Sequence, residues 1–232
     1  MNHNFNFYLP TKVLAGAGQI NTLSEQVKEY GKDVLLITPK SLKHINSMVI
    51  SKLNSSSIQL SIEEIEDGEP TIDFINTMAK RLRGNSYDII IGFGGGSTID
   101  VAKSLSIALT HSEDIWLYAN LSNRPSLPLK EHPIPVIAIP TTSGTGAEVT
   151  PYAVLTKEDP FQKGTIQEAA IFPKVAILDP ELIVSLPSSL TASTGIDAFA
   201  HALEASINIS KKSPAAETFG KSAMRTILEW LP

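Results

Sequence analysis

A run of three glycines followed by two hydroxyl residues, residues 94–98, has the composition of a phosphate-binding turn. It follows an apolar segment typical of a buried strand and opens a segment with helical periodicity. Glycine lets backbone N–H groups approach a pyrophosphate, and a helix N-terminus supplies free donors and partial positive charge. The pattern predicts phosphate binding at Gly95, Gly96 and Ser97. The alternative is a tight turn without a ligand, in which Ser97 caps the helix.

Lys103 excludes two better-known phosphate motifs. It lies on the predicted helix, one turn beyond Asp100, and not at the end of the glycine run. The run is therefore not a P-loop, and its spacing is not that of a G-x-G-x-x-G fingerprint.

A second cluster of small hydroxyl side chains follows another apolar segment and includes Thr141, Thr142 and Thr145. In open α/β sheets, ligands bind beyond the carboxyl ends of the strands. Hydroxyl groups in such a loop can bind a ribose or a carboxamide. The alternative is a loop in which Ser and Thr only satisfy nearby backbone groups.

Asp197 and His201 are four residues apart in an Ala-rich helical segment, so their side chains share one helix face. This pair could chelate a divalent ion, with a simple side-chain hydrogen bond as the alternative. The sequence contains no cysteine, so His, Asp or Glu must hold any metal.

The surrounding pattern predicts a parallel α/β domain over residues 1–180 and the beginning of an α-helical domain over 181–232. Three apolar runs are predicted to form the centre of the sheet, at residues 34–38, 88–93 and 134–139. Four helices are predicted between strands, at 21–30, 43–54, 71–83 and 98–109. Residues 117–135 contain four prolines and are predicted to form a surface loop.

The helical domain is predicted to contain a long helix capped by Thr191 or Ser193 and a second helix over residues 214–231.

Composition narrows the function classes. The chain has 232 residues, 42% of them hydrophobic and 19% charged, which is typical of a soluble globular protein. The net charge is -5, without a basic run, so we expect no nucleic-acid partner. No apolar stretch reaches the roughly 20 residues of a membrane span, and the N-terminus is unlike a signal peptide. We therefore expect a cytoplasmic protein without a membrane partner.

Three motifs in the same order, GGGSTIDVAK, IPTTSGTGAEVT and STGIDAFAHALEA, resemble the iron-containing alcohol dehydrogenase family. The resemblance is to its alcohol and lactaldehyde reductase branch, not to its glycerol dehydrogenase branch. The segments FYLPTKVLAGAGQINTL and FPKVAILDPELIVSLP are also similar to that family, so the resemblance covers essentially the whole chain.

The resemblance implies a Rossmann-like parallel sheet domain followed by the first helices of an all-helical, dehydroquinate synthase-like domain. It implies hydride transfer between NAD or NADP and a small primary alcohol or aldehyde, at an Fe²⁺ or Zn²⁺ ion in a cleft between the domains. Asp197 and His201 match the first two metal ligands. The implied cofactor-binding residues are Pro39, Gly95, Gly96, Ser97, Asp100, Thr141, Thr142, Thr145 and Lys163, with Lys163 in a loop. Homo-oligomers, dimers and larger, are also implied.

Two departures from the family modify these expectations. The family takes two further metal-binding histidines from later helices, but no histidine follows His201 in this sequence. Catalytic metal sites usually have three protein ligands, so we expect a truncated chain that is inactive alone.

The second departure concerns the cofactor, because NAD-preferring relatives often carry an acid where Pro39 stands. Pro39, followed by the donors Lys40 and Ser41, therefore predicts that NADPH binds at least as well as NADH.

Two alternative functions stay open. One is a catalytically inactive, nucleotide-binding remnant of such an enzyme. The other is a metal-independent relative of the maleylacetate reductase kind, against which Asp197 and His201 argue.

Overall fold

A computed structural model describes residues 5–54, 57–122, 124–208 and 213–232. The chain divides into two compact units. The α/β unit comprises Pro10–Thr141 and Ala147–Ile183, and the helical unit comprises Met1–Leu9, Thr142–Gly146 and Val184–Pro232. The domain limits 1–180 and 181–232 stay a prediction, because the compactness of a unit does not show that it folds independently.

The α/β unit contains two sheets. Its strands are β1 Lys12–Ala15, β2 Asp33–Pro39, β3 Gln59–Ile65, β4 Ile89–Gly94, β5 Ala119–Asn120, β6 Val136–Pro140, β7 Tyr152–Lys157, β8 Gln162–Gln167 and β9 Val175–Leu178. Six form a sheet in the order β1-β9-β6-β4-β2-β3, in which every pairing is parallel. The other three form an antiparallel sheet in the order β5-β8-β7.

The predicted centre of the parallel sheet is confirmed, since β6, β4 and β2 are neighbours. Every residue of β4 and β6 is buried, as expected when helices cover both faces. Strand β9, which pairs with β1 and β6, was not predicted from the sequence. It is only four residues long, so its apolar run is too short to distinguish from a connector.

The four predicted helices of this unit are confirmed as α1 Leu23–Lys28, α2 Lys43–Leu53, α3 Ile72–Leu82 and α4 Gly96–Ala108. Successive strand residues point to opposite faces of the sheet, which creates two cores. Leu35 and Ile90 pack with residues of α3 and α4, whereas Leu36 and Ile91 pack with residues of α1 and α2. Ten of the 13 residues of α4 are buried, so this helix is held on nearly all sides.

The prediction of an irregular surface loop over residues 117–135 is partly wrong. Its start belongs to a short 3-10 helix, Ile115–Tyr118, and to β5. Trp116 and Tyr118 are buried, because the large apolar rings fill the core beside α3 and α4. The antiparallel pair β7 and β8 was also not predicted. Residue 123 of the predicted loop lies outside the described residues.

The helical unit contains α5 Ser188–Ile207 and α6 Pro214–Trp230, which pack against each other. The predicted caps of α5 are wrong, because the helix begins three residues before Thr191. Its N-cap is Pro187, whose carbonyl accepts from the N–H of Leu190 and of Thr191. The Thr191 hydroxyl donates back to the Pro187 carbonyl at 3.2 Å, so it belongs to the first turn. In α6 the Ser213 hydroxyl caps the N–H of Ala216 at 3.1 Å.

Within the described ranges, no helix is long and apolar enough to cross a membrane.

Asp179 connects the beginning and end of the α/β unit. Its carboxylate is 2% exposed and accepts the N–H groups of Gly18, Ile20 and Glu181 at 3.2, 2.9 and 3.1 Å. Asp179 follows β9, and Gly18 and Ile20 follow β1. Because β1 and β9 are parallel neighbours, these bonds hold together the two segments that leave their carboxyl ends. Without this carboxylate the Ile20 N–H would stay buried with no acceptor, and the N–H groups of Gly18 and Glu181 would stay partly shielded from water.

We predict that Asp179→Ala destabilises the protein by about 2 to 4 kcal/mol, because a buried carboxylate and its hydrogen bonds are lost together. Urea unfolding followed by circular dichroism measures the change. The control is Glu158→Ala at an exposed position. A loss below about 0.5 kcal/mol for Asp179→Ala would contradict the assigned role.

Candidate functional site

The glycine turn lies where β4 ends at Gly94 and α4 begins at Gly96. A Cβ atom at Gly94 would lie 2.7 Å from Thr98 Cβ and 3.0 Å from Pro39 Cδ, so no larger residue fits there. The Gly94 carbonyl accepts the Thr141 N–H at 3.0 Å, which joins the glycine turn to the segment after β6. Two of the predicted motifs therefore meet at the carboxyl edge of the parallel sheet.

Helix α4 presents its N-terminus at this edge. Its N-cap is Gly95, and no side chain caps it. The first N–H groups of a helix have no intrahelical acceptor and carry partial positive charge. Ser97 is exposed in this first turn. Its predicted alternative role as the helix cap is therefore wrong, since Gly95 occupies that position. Small residues, free donors and an exposed hydroxyl group together fit a pyrophosphate.

Pro39 ends β2 and is buried next to the glycine turn, as its 3.0 Å approach to the Gly94 Cβ position shows. Lys40 and Ser41 follow it and are exposed. The end of β2 therefore lies beside the end of β4, which is the position that a dinucleotide's adenosine ribose takes in doubly wound folds.

Lys103 is completely buried on the face of α4 that packs against β7. Its ammonium group donates to the carbonyls of Ala147, of Thr150 at 2.8 Å and of Tyr152 at 2.9 Å. Burial lowers the pKa of Lys103 to about 8, although the charges of Asp100 and Glu148 oppose that shift. Three carbonyls around one cation fix the chain between β6 and β7 against α4.

Asp100 lies one turn before Lys103 and is partly exposed. Its carboxylate accepts the Val154 N–H at 3.1 Å. Desolvation raises the pKa of Asp100 to about 6, and burial also raises the pKa of Glu148. Asp100 is thus engaged with β7 in this structure.

Lys163 lies on β8 and not in a loop as predicted. The polar residues around it conceal the alternation of a strand whose inward residues are Gly164 and Ile166. Lys163 forms an ion pair with Glu69, which also accepts the Thr156 hydroxyl at 2.9 Å. These hydrogen bonds from Lys163 and Thr156 lower the pKa of Glu69. Both members of the ion pair are about half exposed, so a ligand phosphate could replace the Glu69 carboxylate.

In the helical unit, Asp197 and His201 share one face of α5, with 3.9 Å between Asp197 Oδ1 and His201 Nε2. Both side chains are roughly half exposed. A Cβ atom at Gly144 would lie 3.1 Å from Asp197 Oδ2, so the loop backbone closely approaches this carboxylate. Thr142 and Thr145 belong to the same unit as this pair, whereas Thr141 belongs to the α/β unit.

Carboxylate oxygen and imidazole nitrogen suit Fe²⁺ or Zn²⁺. In the part of the chain that the structure describes, no group of three or more His, Cys, Asp or Glu residues could hold a metal. The donor chemistry fits such an ion, but the pair supplies fewer than the three protein ligands usual in catalytic sites.

The buried position of Lys103 and the partners of the exposed lysines Lys40 and Lys163 were not predicted from the sequence. Lys103 could have been recognised by its place in a helix whose neighbouring positions are almost all apolar or small. The partners of Lys40 and Lys163 are 26 and 94 residues away, so local spacing carries no signal for them.

A parallel sheet whose glycine turn opens a helix, with Pro39 and Thr141 at the same edge, is the arrangement found in dinucleotide-binding α/β folds. The family model for iron-containing alcohol dehydrogenases matches residues 10–180. The chain belongs to the iron-containing alcohol dehydrogenase family. Long-chain-alcohol dehydrogenase 1 of Geobacillus thermodenitrificans is 35% identical over 215 residues, which cover 91% of this chain and 53% of that protein.

Solved structures of alcohol dehydrogenases and an aldehyde reductase have a fold similar to that of this chain. An archaeal halo-thermophilic alcohol dehydrogenase from a Red Sea brine pool is 30% identical with a TM-score of 0.92, and the match covers 100% of this chain and 59% of that one. Sulfoacetaldehyde reductase from Bifidobacterium kashiwanohense, solved with NAD⁺, is 27% identical with a TM-score of 0.89, and the match covers 99% and 60%. This chain thus spans little more than half the length of these relatives.

We predict that Lys103→Met lowers stability by about 1 to 3 kcal/mol at pH 7, because three carbonyls lose the ammonium group that donates to them. Exposed Lys80→Met on α3 is the matched control, with an expected change within about 0.5 kcal/mol.

The same variant has a pH signature. The pKa of Lys103 is about 8 in the folded protein and 10.5 in the unfolded reference, so unfolding takes up a proton between these values. Parent stability therefore rises relative to Lys103→Met as pH increases from about 8 to about 10.5, by roughly 2 kcal/mol. Denaturant unfolding at pH 7.5 and 10 measures this, and an unchanged difference would show that Lys103 is not charged and buried.

Proposed function

We propose that this chain is the cofactor-binding part of a metal-dependent oxidoreductase that transfers a hydride between NAD or NADP and a small primary alcohol or aldehyde. The observation that carries the proposal is the uncapped N-terminus of α4 behind the Gly95–Gly96 turn, at the carboxyl edge of a parallel sheet. The names of the relatives support the reaction class, because they include alcohol dehydrogenases and an aldehyde reductase solved with NAD⁺.

The proposed roles follow the local chemistry. Gly95, Gly96 and Ser97 bind the pyrophosphate through backbone N–H groups and a hydroxyl group. Lys103 and Asp100 act through the backbone they hold, since both bond to β7 or the segment before it. The ribose or carboxamide binds the hydroxyl groups of Thr141, Thr142 and Thr145. Lys163 binds a cofactor phosphate, which replaces the Glu69 carboxylate as the partner of its ammonium group.

For the metal, we propose that Asp197 and His201 are two of its ligands. When bound, an Fe²⁺ or Zn²⁺ ion would supply Lewis acidity that favours the alkoxide form of the alcohol. The two side chains would hold and orient the ion, and the close approach of Gly144 leaves no room for a larger residue at that position beside the Asp197 carboxylate. Assembly into homo-oligomers, implied by the family, is part of the proposal.

A second candidate function is nucleotide binding without catalysis. It is favoured by one observation, that the described residues bring together only two candidate metal ligands. Cofactor binding is common to both candidates. Both candidates also predict little turnover by the 232-residue protein alone, so turnover gained when the missing metal ligands are supplied would favour the first candidate.

We predict that Gly96→Asp weakens NADH and NADPH binding at least about tenfold, because a carboxylate would face the pyrophosphate at the N-terminus of α4. Titration of cofactor fluorescence measures the dissociation constants. Gly84→Asp is the matched control, since a Cβ atom at Gly84 has no neighbour within 4 Å. Equal binding by the parent and Gly96→Asp would remove the turn from the site.

We predict weak binding of Zn²⁺ or Fe²⁺ by the 232-residue protein, with loss of binding in His201→Ala. Two ligands leave the ion largely hydrated, so aldehyde reduction with added metal should stay below about 1 per second. Calorimetry with ZnCl₂ measures binding, and exposed His132→Ala is the control. Binding unaffected by His201→Ala, or turnover in the ordinary enzymatic range, would show that other ligands form the site.

A further inference from the structure

The two donors that follow Pro39 already have anionic partners. The Lys40 ammonium donates to the Glu66 carboxylate, and the Ser41 hydroxyl donates to Asp67 Oδ1 at 2.7 Å. Glu66 and Asp67 lie in the exposed segment directly after β3. The sequence around Pro39 alone describes a cationic, donor-rich position. The structure adds two carboxylates to it.

This arrangement follows from the sheet. Strands β2 and β3 are parallel neighbours, and Pro39 pairs in register with Ile65. The residues after both strands therefore emerge at the same edge. Pro39 also contacts the glycine turn, since its Cδ lies 3.0 Å from the Gly94 Cβ position. Glu66 and Asp67 thus lie at the ribose end of the proposed cofactor site and not on a remote surface.

The side chains at the carboxyl ends of β2 and β3 do not carry a net positive charge. Lys43 lies 3.8 Å from Glu64, in addition to the Lys40–Glu66 ion pair. Two lysines face three carboxylates, those of Glu64, Glu66 and Asp67. The hydrogen bond and charge of Glu66 raise the pKa of Lys40, so this lysine is charged but already paired.

We propose that Glu66 and Asp67 are selectivity residues that favour NAD(H) over NADP(H), a proposal that rests on the proposed function. A free 2'-hydroxyl can donate to a carboxylate, as the acid at the end of a strand accepts it in NAD-binding folds. A 2'-phosphate is mostly dianionic near pH 7, so it accepts hydrogen bonds and is repelled by carboxylates. It must compete with Glu66 and Asp67 for Lys40 and Ser41 while both carboxylates stay nearby. This reverses the order expected from Pro39, Lys40 and Ser41 alone.

The test is the ratio of NADPH to NADH dissociation constants for the 232-residue protein, measured by cofactor fluorescence at low salt. The parent should bind NADH at least about threefold more tightly. The double variant Glu66→Gln and Asp67→Asn removes two charges and keeps the side-chain shapes. It should move the ratio toward NADPH by about tenfold, mainly through tighter NADPH binding. The parent's preference should also shrink as salt screens the exposed charges.

The control is the double variant Glu158→Gln and Glu204→Gln, which makes the same net charge change at two exposed positions elsewhere. It should leave the ratio unchanged. A parent that prefers NADPH, or a Glu66 and Asp67 variant with the parent's ratio, overturns the selectivity proposal while cofactor binding stands. Failure of the parent to bind either cofactor overturns the proposed function and this proposal together. Because all four positions are exposed, circular dichroism of each variant should match the parent.

Discussion

The charge on Lys103 has no contact with water, and the chain after β6 is arranged to satisfy it. Carbonyls of Ala147, Thr150 and Tyr152 converge on this ammonium group from the 3-10 helix Ala147–Val149, the bend that follows it and the start of β7. An unsatisfied charge in a core costs several kcal/mol, so these carbonyls cannot move away independently. The same helix carries the glycine turn at its N-terminus. Lys103 therefore fixes residues 147–152 against the helix that carries the candidate phosphate site.

The sequence predicted those parts of the fold that repeat with a regular period. Central strands buried on both faces and helices such as α3, with Ile72, Ile75 and Ala79 on one side, have patterns that tertiary structure does not override. It failed where elements are short or polar. The four residues of β9 resemble a connector, β8 contains Gln162, Lys163 and Gln167, and the hydroxyl groups of α5 resemble caps although they lie inside the helix.

The candidate site shows a second limit. Residue types at Gly95, Gly96, Asp197 and His201 were identifiable because their spacing is local. The electrostatic meaning of a lysine, however, depends on its partner. Lys163 is paired with Glu69 and Lys40 with Glu66, and in each case the partner comes from the segment after β3. Pairing across a sheet edge is fixed by strand order, which no short motif encodes. The same residues that suggested a preference for NADP therefore support the opposite proposal once their neighbours are known.

The loop Thr142–Gly146 is five residues long and lies between two fixed positions. Thr141 is bonded to the Gly94 carbonyl on one side, and the Ala147 carbonyl is bonded to Lys103 on the other. Closing a loop lowers the entropy of the chain, and this loss occurs when the protein folds and not when a ligand binds. Gly146, with a φ of 63°, adopts the left-handed conformation that glycine accepts without strain. Such a loop can respond to a bound molecule by rotating individual peptide groups and side chains, but a hinged closure over that molecule would require breaking one of its two anchors.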